Sequence, residues 1–509
     1  MNTPNPNMAS ESTTSAARKA VVVGAGPVGC LSAIALAKMG WNVEIYEGRP
    51  DMRLPSSKAE AQLRSINLAM SARGIAATKV ISPAAADRFL KAVVPMHARM
   101  IHYVTGQQES QPYDRYGECI NSIDRSYMNE CLLEDAIAIP NVRVLFNHKV
   151  VSIDFDSRKM VVQDAASGQN TRVSFSLCVG ADGSYSIVRR QLMRVVRMNY
   201  QQEYIPHEYL ELRMPAGPAD ITGEPTFLLD PNHLHIWPRH TFMLVALPNQ
   251  DKTFTCTVFA PTAEFDRLDT PEVIIKWFKT YFSDALHLIG EDALLHDFHR
   301  NPRSPLMVVK ATPYHFKDRA IILGDAAHAM VPFYGQGLNC GLEDVRVLDI
   351  LLRSERVDPD YQVPEGTEDV QLANALRKYT ESRHEDLVAI CDLAMANYVE
   401  MRHDVITPAY LFRKALDNVL YAISSTHVTL NSLIPVLSRV PFSPNPSTGW
   451  LPQYTMVTFR PDISYSTVKR LASKQKRILE YTGWASAAVG VGLASITCVT
   501  GLRRFWNRG

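Results

Sequence analysis

A glycine-rich turn between an apolar strand and a helix, near the start of this chain, constrains the fold more than any other feature. The run Lys19 to Val23 predicts a buried strand that leads into Gly24, Gly26 and Gly29. Gly24 suits the tight turn, Gly26 lets the backbone approach a phosphate without a clashing Cβ, and Gly29 allows the next helix to pack closely on the strand. The spacing therefore predicts a dinucleotide-binding unit.

The residues after these glycines complete the unit. Residues 28–39 predict a helix whose N-terminal N–H groups and positive dipole end face a pyrophosphate. A strand over residues 41–46 then delivers Glu47, about 20 residues beyond the glycines, where a carboxylate accepts hydrogen bonds from a ribose hydroxyl. A glycine-rich turn without a ligand is the alternative for the glycines alone. The strand, helix and acid together favour dinucleotide binding.

A second segment, far downstream, matches the other end of such a cofactor. The apolar run Ala320 to Leu323 predicts a buried strand, and Asp325 follows it at an edge where a carboxylate can accept from ribityl hydroxyls. Residues 335–339 then begin a helix whose dipole would stabilise negative charge on a reduced flavin. A plain Gly-Asp turn is the alternative. Paired with the N-terminal glycines, the segment predicts FAD binding and a flavoenzyme.

A third segment lies between these two. An apolar strand ends in Asp182-Gly183, and Ser184 is placed to cap the helix that follows. The order of glycine-rich turn, Asp-Gly and Gly-Asp resembles the class A flavoprotein monooxygenases. That resemblance implies one Rossmann-type domain for FAD and no separate NADPH domain, and no second GxGxxG follows a strand in this sequence.

Further motifs narrow the resemblance, which runs from about Ala20 to Arg477, to the kynurenine 3-monooxygenase family. The segments that resemble it are residues 64–69, 97–102, 204–207, 234–239, 397–402 and 454–459. The family implies hydroxylation of L-kynurenine to 3-hydroxykynurenine with FAD, NADPH and O2, through a flavin C4a-hydroperoxide, in tryptophan degradation and de novo NAD biosynthesis. Two alternatives stay open: a class A monooxygenase for another aromatic substrate, and a noncatalytic FAD-fold binding protein.

The resemblance also implies roles for individual positions at the substrate. Arg99 and Tyr113 match positions that hold the substrate's carboxylate, and Asn397 and Tyr454 match further substrate contacts. A guanidinium suits this task because it binds a carboxylate through two parallel hydrogen bonds. Without the family, a surface salt bridge for Arg99 and ordinary packing for the tyrosines would be expected. Gln336, beside the flavin loop, is a candidate catalytic residue that places the peroxide or the substrate carbonyl.

Cofactor positions follow from the same match. Besides Gly24, Gly26 and Gly29, the positions that match FAD contacts are Val28, Tyr46, Glu47, Arg49, Ala69, Arg125, Val150, Asp182, Asp325, Leu338 and Asn339. The loop after Tyr113 departs from the family, since residues 114–116 read Asp-Arg-Tyr where the family often has Gly after the Tyr. The side chains that line this loop are therefore not carried over.

These elements predict an α/β fold with a Rossmann-type FAD-binding domain, a β-sheet substrate domain, a C-terminal helical region and a C-terminal transmembrane helix. The predicted ranges are 1–18 for a disordered N-terminus, 19–70, 114–200 and 305–355 for the FAD-binding domain, 71–113 and 201–304 for the substrate domain, 370–480 for the helical region and 484–502 for the membrane segment. Strands predicted between residues 234 and 259 could form a floor over the flavin's reacting face.

The membrane prediction rests on length and on flanking charge. Residues 484–502 carry no charged side chain and approach the roughly 20 residues that a transmembrane helix needs. Basic residues precede and follow the segment, which predicts a tail anchor with the enzyme facing the cytosol. With the family resemblance, this implies the mitochondrial outer membrane. Because the segment is rich in Ala, Gly, Ser and Thr, an apolar core helix is the alternative.

Composition excludes other classes of function. The formal net charge of +1 gives no electrostatic case for nucleic acid binding. The 8 cysteines include no CxxC pair, which favours a reducing compartment, and the 15 histidines show no HExxH or comparable spacing. No metal site is predicted. The expected partners are L-kynurenine, NADPH, O2 and a membrane.

Overall fold

Strands and helices are mixed along the chain as far as residue 322. The regular elements of the described chain beyond this residue are helices. The structure is a computed structural model that describes residues 18–57, 67–364, 366–443 and 449–479. Its strands are β1 (Lys19–Val23), β2 (Asn42–Tyr46), β3 (Leu68–Met70), β4 (Val94–Met96), β5 (Ala98–His102), β6 (Gln108–Pro112), β7 (Ile120–Ile123), β8 (Val142–Leu145), β9 (His148–Asp154), β10 (Lys159–Asp164), β11 (Asn170–Ser174), β12 (Leu177–Gly180), β13 (Asn199–Met214), β14 (Gly217–Ala219), β15 (Pro225–Thr226), β16 (His233–Arg239), β17 (Phe242–Pro248), β18 (Phe254–Pro261), β19 (Ser304–Thr312), β20 (His315–Phe316) and β21 (Ala320–Ile322).

The helices frame these strands and fill the C-terminal part. They are α1 (Pro27–Lys38), α2 (Ala72–Ile81), α3 (Pro83–Ala92), α4 (Arg125–Ile137), α5 (Ile187–Leu192), α6 (Thr262–Phe265), α7 (Pro271–Tyr281), α8 (Ser283–Ile289), α9 (Glu291–Arg300), α10 (Asp325–His328), α11 (Gly337–Ser354), α12 (Val370–Arg402), α13 (Pro408–Ser424), α14 (Leu430–Leu437) and α15 (Gln453–Phe459), with short 3-10 turns at Pro332–Tyr334 and Asp404–Ile406. Residues 465–479 are also helical.

The three sequence motifs meet at one edge of a mostly parallel sheet. Its strand order is β20-β21-β12-β1-β2-β8, and neighbours run parallel except β20 and β21. The carboxyl ends of β1, β12 and β21 therefore lie side by side, which brings Gly24, Asp182 and Asp325 to the wall of one cavity. Ligands of open α/β sheets bind at this edge.

Close packing of α1 on β1 explains the glycine spacing. Every residue of β1 after Lys19 is buried, as expected for a strand that is covered on both faces. A Cβ at Gly29 would lie 2.0 Å from the carbonyl oxygen of Gly24, so this contact requires glycine. α1 begins at Pro27, whose missing N–H is no loss at a helix start.

A second sheet closes over that edge. Its order is β19-β13-β18-β17-β16-β5-β6, antiparallel apart from the β16–β5 pair. Alternation along the strands separates two faces. Met243 and Phe259 face the cavity, whereas Leu244 and Val258 pack in a separate core with α7, α8 and α9. The strands predicted between residues 234 and 259 are β16, β17 and β18, and they form one cavity wall.

The fold differs from the sequence prediction at its C-terminal end. No helix in the described ranges is long and apolar enough to cross a membrane. α12, with 33 residues, is long enough, but charged side chains occur along its whole length, so it is not apolar enough. The prediction of a fold with a transmembrane helix is therefore wrong for the described residues, whose fold combines mixed sheets with C-terminal helices. The segment 484–502 and residues 1–17 lie outside the described residues, and the localisation stays a prediction.

A buried carboxylate on α11 ties several elements together. Glu343 accepts hydrogen bonds from Arg73 of α2 at 2.8 Å, from Arg346 at 3.3 Å and from Arg383 of α12 at 3.0 Å. Burial raises the pKa of Glu343, but the three guanidinium groups outweigh it and hold the pKa below its usual value. Arg73 also donates to the carbonyls of residues 457, 460 and 463, and Arg346 donates to those of residues 437, 440 and 441.

The next acid on α11 extends this network to the cavity. Asp344 accepts from Arg383 at 2.7 Å, from the ring of His328 and from the backbone N–H of Gly324 at 3.1 Å. Burial raises the pKa of Asp344, but His328 and Arg383 outweigh it, so the pKa lies below its usual value. The turn between β21 and α10 is thereby fastened to α11 and α12.

The network predicts a large difference between two arginines of α12. Arg383→Met is expected to lower the free energy of unfolding by about 3–5 kcal/mol, because it leaves Glu343 and Asp344 buried with too little positive charge. Arg377→Met is the matched control: Arg377 forms an exposed pair with Glu381 at 2.7 Å, worth about 0–1 kcal/mol. Chemical denaturation of both variants measures the difference, and equal losses would contradict the role of the network.

Candidate active site

A cavity of about 950 Å³ lies between the two sheets and is bordered by residues 330–338. The predicted site residues that line it are Gly24, Gly26, Val28, Tyr46, Glu47, Arg49, Ala69, Arg99, Arg125, Val150, Asp182, Asp325, Leu338 and Tyr454. The predicted residues outside its lining are Gly29, Tyr113, Gln336, Asn339 and Asn397. Most of the predicted site residues thus lie together on the lining of one cavity, and the others lie outside this lining.

The glycine-rich turn leaves room for a phosphate at one end of this cavity. Gly24 has a φ of +101°, and a Cβ there would lie 2.5 Å from the carbonyl oxygen of Ala181. A Cβ at Gly26 would meet no described atom within 4 Å, so this position is open. α1 has no acidic residue in its first turn and no side-chain cap, which leaves its N–H groups available to an anion.

Glu47 is held rigidly beside the turn. Its carboxylate accepts from the backbone N–H of Ala25 at 2.9 Å, and from the backbone N–H and Nε of Arg49 at 3.0 Å each. Burial raises the pKa of Glu47, but the bonds from Arg49 and the backbone outweigh it, so the pKa lies below its usual value. An ionised, oriented carboxylate is a strong acceptor for cofactor hydroxyls.

The carboxylate of Asp182 supports the start of α5. It accepts from Ser186 Oγ at 2.5 Å and from the backbone N–H of Ile187 at 2.6 Å. Burial raises its pKa despite these bonds. Ser186, not the predicted Ser184, is the N-cap, because the helix begins two residues later than the sequence pattern indicates. Asp182 lines the cavity, but its carboxylate is engaged within the protein.

Asp325 presents an available carboxylate to the cavity. Its side chain is exposed on the cavity wall and accepts no hydrogen bond from any described residue. α11 begins next to it, with Gly337 and Leu338 on the same wall and no acidic residue in its first turn. This end of the cavity therefore offers an acceptor for ribityl hydroxyls and a helix N-terminus for negative charge.

Asn339 contacts the segment before α2, Gln336 contacts the C-terminal helix, and neither residue lines the cavity. The amide of Asn339 accepts from the N–H of Ser71 at 2.9 Å and donates to the carbonyl of Ala69 at 2.8 Å. The amide oxygen of Gln336 accepts from the hydroxyl of Tyr465 at 3.1 Å. The role predicted for Gln336 stays a prediction and gains no support from this geometry.

Arg99 lies on β5 of the second sheet and lines the cavity. It is 4% exposed, and its Nη1 donates to Glu400 Oε1 at 3.1 Å. Burial lowers the pKa of Arg99, but Tyr410, Glu400 and the nearby tyrosines outweigh it, so the pKa lies well above its usual value. The cavity wall thus holds a charged guanidinium whose remaining N–H groups suit a planar anion.

Stacked tyrosines flank Arg99. The rings of Tyr113 and Tyr454 lie 4.9 Å apart at an angle of 9°, and the guanidinium of Arg99 lies 4.9 Å from the ring centre of Tyr454. The hydroxyl of Tyr113 is buried beside Tyr454 and Arg99, and it forms no hydrogen bond of standard geometry with a described residue. It is therefore a donor in reach of the group that surrounds Arg99, although Tyr113 itself does not line the cavity.

Asn397 lies one layer behind the wall. Its Nδ2 donates to the carbonyl of Phe333 at 2.8 Å, and the ring of Phe333 stacks on that of Tyr398 at 4.0 Å. Phe333 lines the cavity and Asn397 does not. In this structure Asn397 therefore supports the loop that carries Phe333, and the predicted direct contact with substrate stays a prediction.

Sequence reasoning missed the acid that pairs with Arg99. Glu400 follows Asn397 by three residues on α12, a spacing that places both on one helix face, and this signal could have found it. Lys414 of α13 carried no such signal, because its contact with β6 joins segments 303 residues apart.

A cluster of metal-ligating side chains belongs to the ion-pair network. Ligand atoms of His328, Cys340 and Asp344 lie within 4.8 Å of one another. Arg383 donates to Cys340 Sγ at 3.5 Å and to Asp344 at 2.7 Å. A guanidinium therefore already supplies the positive charge that these groups require.

Comparison with known proteins agrees with the FAD motifs. A family model described as FAD binding domain matches residues 18–355. Proteins named kynurenine 3-monooxygenase from Cryptococcus neoformans var. neoformans serotype D, Debaryomyces hansenii and Saccharomyces cerevisiae are 42%, 44% and 40% identical. The matches cover 97%, 90% and 90% of this chain and 99%, 91% and 93% of those proteins. The chain belongs to the kynurenine 3-monooxygenase family. It is a flavin monooxygenase with an FAD-binding domain.

Solved structures share the fold at low sequence identity. The tetrameric form of 2-methyl-3-hydroxypyridine-5-carboxylic acid oxygenase aligns with a TM-score of 0.57 at 20% identity, covering 78% of this chain and 96% of that one. PqsL of P. aeruginosa, in complex with 2-aminobenzoylacetate, aligns with a TM-score of 0.59 at 18% identity, covering 76% and 97%. These likenesses show the fold alone.

Substitutions at two glycines should distinguish an effect on cofactor binding from an effect on folding. Gly26→Ala is expected to leave the unfolding free energy of the FAD-free protein within about 0.5 kcal/mol, because the new Cβ meets no described atom within 4 Å. Its flavin content after purification should fall, since the Cβ stands where a phosphate approaches. Gly29→Ala, which clashes with Gly24, should instead destabilise the FAD-free protein by about 1–3 kcal/mol. Parental flavin content in Gly26→Ala would contradict the phosphate site.

Asp325→Ala is expected to weaken FAD binding by about 1.5–3 kcal/mol, because it removes a charged acceptor for cofactor hydroxyls. Asp266→Ala is a suitable control, since Asp266 pairs with Arg303 on the surface at 2.9 Å. Titration of the FAD-free proteins with FAD, followed by flavin fluorescence, gives both affinities. Equal affinity of Asp325→Ala and the parent would show that this carboxylate does not contact the cofactor.

Proposed function

We propose that this enzyme converts L-kynurenine to 3-hydroxykynurenine, with FAD as cofactor and with NADPH and O2 as co-substrates. The observation that carries the proposal is that Arg99, on the cavity wall, lies against the stacked rings of Tyr454, which also lines the cavity, and Tyr113. The relatives at 40–44% identity, all named kynurenine 3-monooxygenase, support the same substrate.

Arg99 is suited to the carboxylate of an amino acid. Its guanidinium is charged, nearly buried, and donates to Glu400 through Nη1, which leaves further N–H groups for a second acceptor. Glu400 also accepts from the hydroxyl of Tyr410 at 3.1 Å, and this second bond orients the acid that holds Arg99. The buried hydroxyl of Tyr113 adds a neutral donor beside the guanidinium. A carboxylate bound here would form charge-assisted hydrogen bonds away from bulk water.

The apolar part of the cavity wall suits the aromatic ring of the substrate. It includes Leu234, Met243, Val245, Phe259 and Phe333. Apolar side chains gain by covering an aromatic ring, and they exclude water from the reacting carbon.

The chain's own task in the reaction is positioning. FAD, when bound, supplies the activation of O2 with two electrons that come from NADPH. One oxygen atom enters the substrate ring, the other leaves as water, and the displaced ring hydrogen leaves as a proton. The amino group on the kynurenine ring already activates the neighbouring carbon, so a fixed carboxylate and a dry wall are the main contributions of the protein.

The test of the proposed function uses the flavin-loaded protein and a panel of aromatic substrates. NADPH oxidation is followed together with product identification by mass spectrometry. L-Kynurenine should stimulate NADPH oxidation and yield 3-hydroxykynurenine, whereas kynurenamine, which lacks the carboxylate, should be a poor substrate. Hydroxylation of another member of the panel in preference to L-kynurenine would overturn the proposal.

Replacement of Arg99 should separate substrate binding from cofactor binding. Arg99→Met is expected to weaken L-kynurenine binding by about 2–5 kcal/mol, because a buried carboxylate loses its charged partner. Binding of kynurenamine should change much less, and flavin content should stay at the parental level. Calorimetric titration with both compounds measures this. Equal losses for the two ligands would assign Arg99 a general structural role.

A further inference from the structure

A second cationic side chain, Lys414, contacts the strand next to Arg99. Lys414 projects from α13, and its ammonium donates to Gln111 Oε1 at 3.4 Å. Gln111 of β6 is the cross-strand neighbour of Arg99 on β5. Tyr410, one helical turn before Lys414, donates to the carboxylate of Glu400 that pairs with Arg99. Lys414 and Arg99 therefore belong to one connected group of polar side chains.

The carboxylates near Lys414 are already engaged by other groups. Glu109 of β6 accepts from the hydroxyl of Tyr103 at 2.6 Å and from the side-chain amide of Gln111 at 3.2 Å. Glu400 of α12 accepts from Arg99 and Tyr410. Within the described residues, Lys414 forms no ion pair with either acid.

The ammonium of Lys414 is therefore weakly compensated. Burial lowers the pKa of Lys414, and the positive charge of Arg99 lowers it further, to about 7; Glu400 and Glu109 oppose this shift. Tyr410 stays neutral, because burial raises its pKa. A lysine with such a pKa gains a proton when a negative charge binds nearby.

We propose that Lys414 is a positioning residue for the substrate's carboxylate, and that it takes up a proton from solvent as the carboxylate binds at Arg99. The inference rests on the proposed function, since L-kynurenine brings the carboxylate. A negative charge next to Arg99 favours the charged form of a nearby ammonium. The protonated Lys414 then holds Gln111 beside Arg99 and attracts the bound carboxylate.

The sign of the pH dependence follows from this order of events. Substrate binding raises the pKa of Lys414 above its value of about 7 in the free protein. Binding therefore consumes up to about one proton at a pH between the pKa of Lys414 in the free protein and its pKa in the substrate complex. Affinity for L-kynurenine should be highest below this window and should fall by up to about tenfold per pH unit within it.

Calorimetry of the flavin-loaded protein tests the proton uptake. L-Kynurenine is titrated at about pH 8 in phosphate and in Tris, whose enthalpies of ionisation differ, so that proton uptake appears as a difference in binding heat. We expect this difference in the parent and a loss of it in both Lys414→Met and Lys414→Arg, because neither side chain titrates in this range. Lys279→Met, at an exposed lysine paired with Glu291 at 2.8 Å, is the control and should behave as the parent.

The two variants of Lys414 also separate a charge effect from a structural effect. Lys414→Arg keeps a permanent positive charge and should retain affinity at high pH, whereas Lys414→Met should bind weakly at every pH. The inference would be overturned, with the proposed function intact, if the binding heat of the parent were the same in both buffers. The same holds if both variants kept the difference in binding heat between the buffers. No binding of L-kynurenine by the parent would overturn the proposed substrate and the inference with it. If neither variant folds, the parent titration still decides.

Discussion

Two adjacent acids in the middle of α11 must be neutralised because both are fully buried. The guanidinium groups that neutralise Glu343 and Asp344 come from α2, α11 and α12, and the ring of His328 on α10 contacts Asp344. Buried ion pairs add little net stability, whereas removal of one partner is strongly destabilising. Here the network connects α11 to the turn at Gly324, whose neighbours Leu323 and Asp325 line the cavity. This part of the cavity wall is thus held by charges that do not line the cavity.

The cavity wall combines groups of different electrostatic character. At the edge of the parallel sheet, the N-termini of α1 and α11 offer N–H groups to anions, while the carboxylates of Glu47 and Asp325 offer acceptors to hydroxyls. On the second sheet, Arg99 supplies positive charge beside the rings of Tyr113 and Tyr454. The same sheet also supplies apolar side chains to the cavity wall. These groups suit a dinucleotide cofactor together with an aromatic amino acid.

Local sequence signals predicted the parts of the site that are set by the backbone. Gly24, Gly26 and Gly29 could be read from spacing, because each answers a steric demand of one turn. Side chains that depend on distant contacts were less predictable. Gln336 and Asn397 were expected at the ligands and lie behind the wall, while Lys414 was missed altogether. The family resemblance indicated positions, but it carried no information about which side chains form the second layer.

The position of the substrate's carboxylate is measured most directly by a crystal structure of the flavin-loaded protein with L-kynurenine. The deciding quantity is the distance from the guanidinium nitrogens of Arg99 to the carboxylate oxygens. Two contacts within about 3.2 Å are expected, with the aromatic ring against Met243 and Phe259. A carboxylate bound elsewhere in the cavity, with Arg99 still bonded only to Glu400, would contradict the role of Arg99 as the carboxylate site.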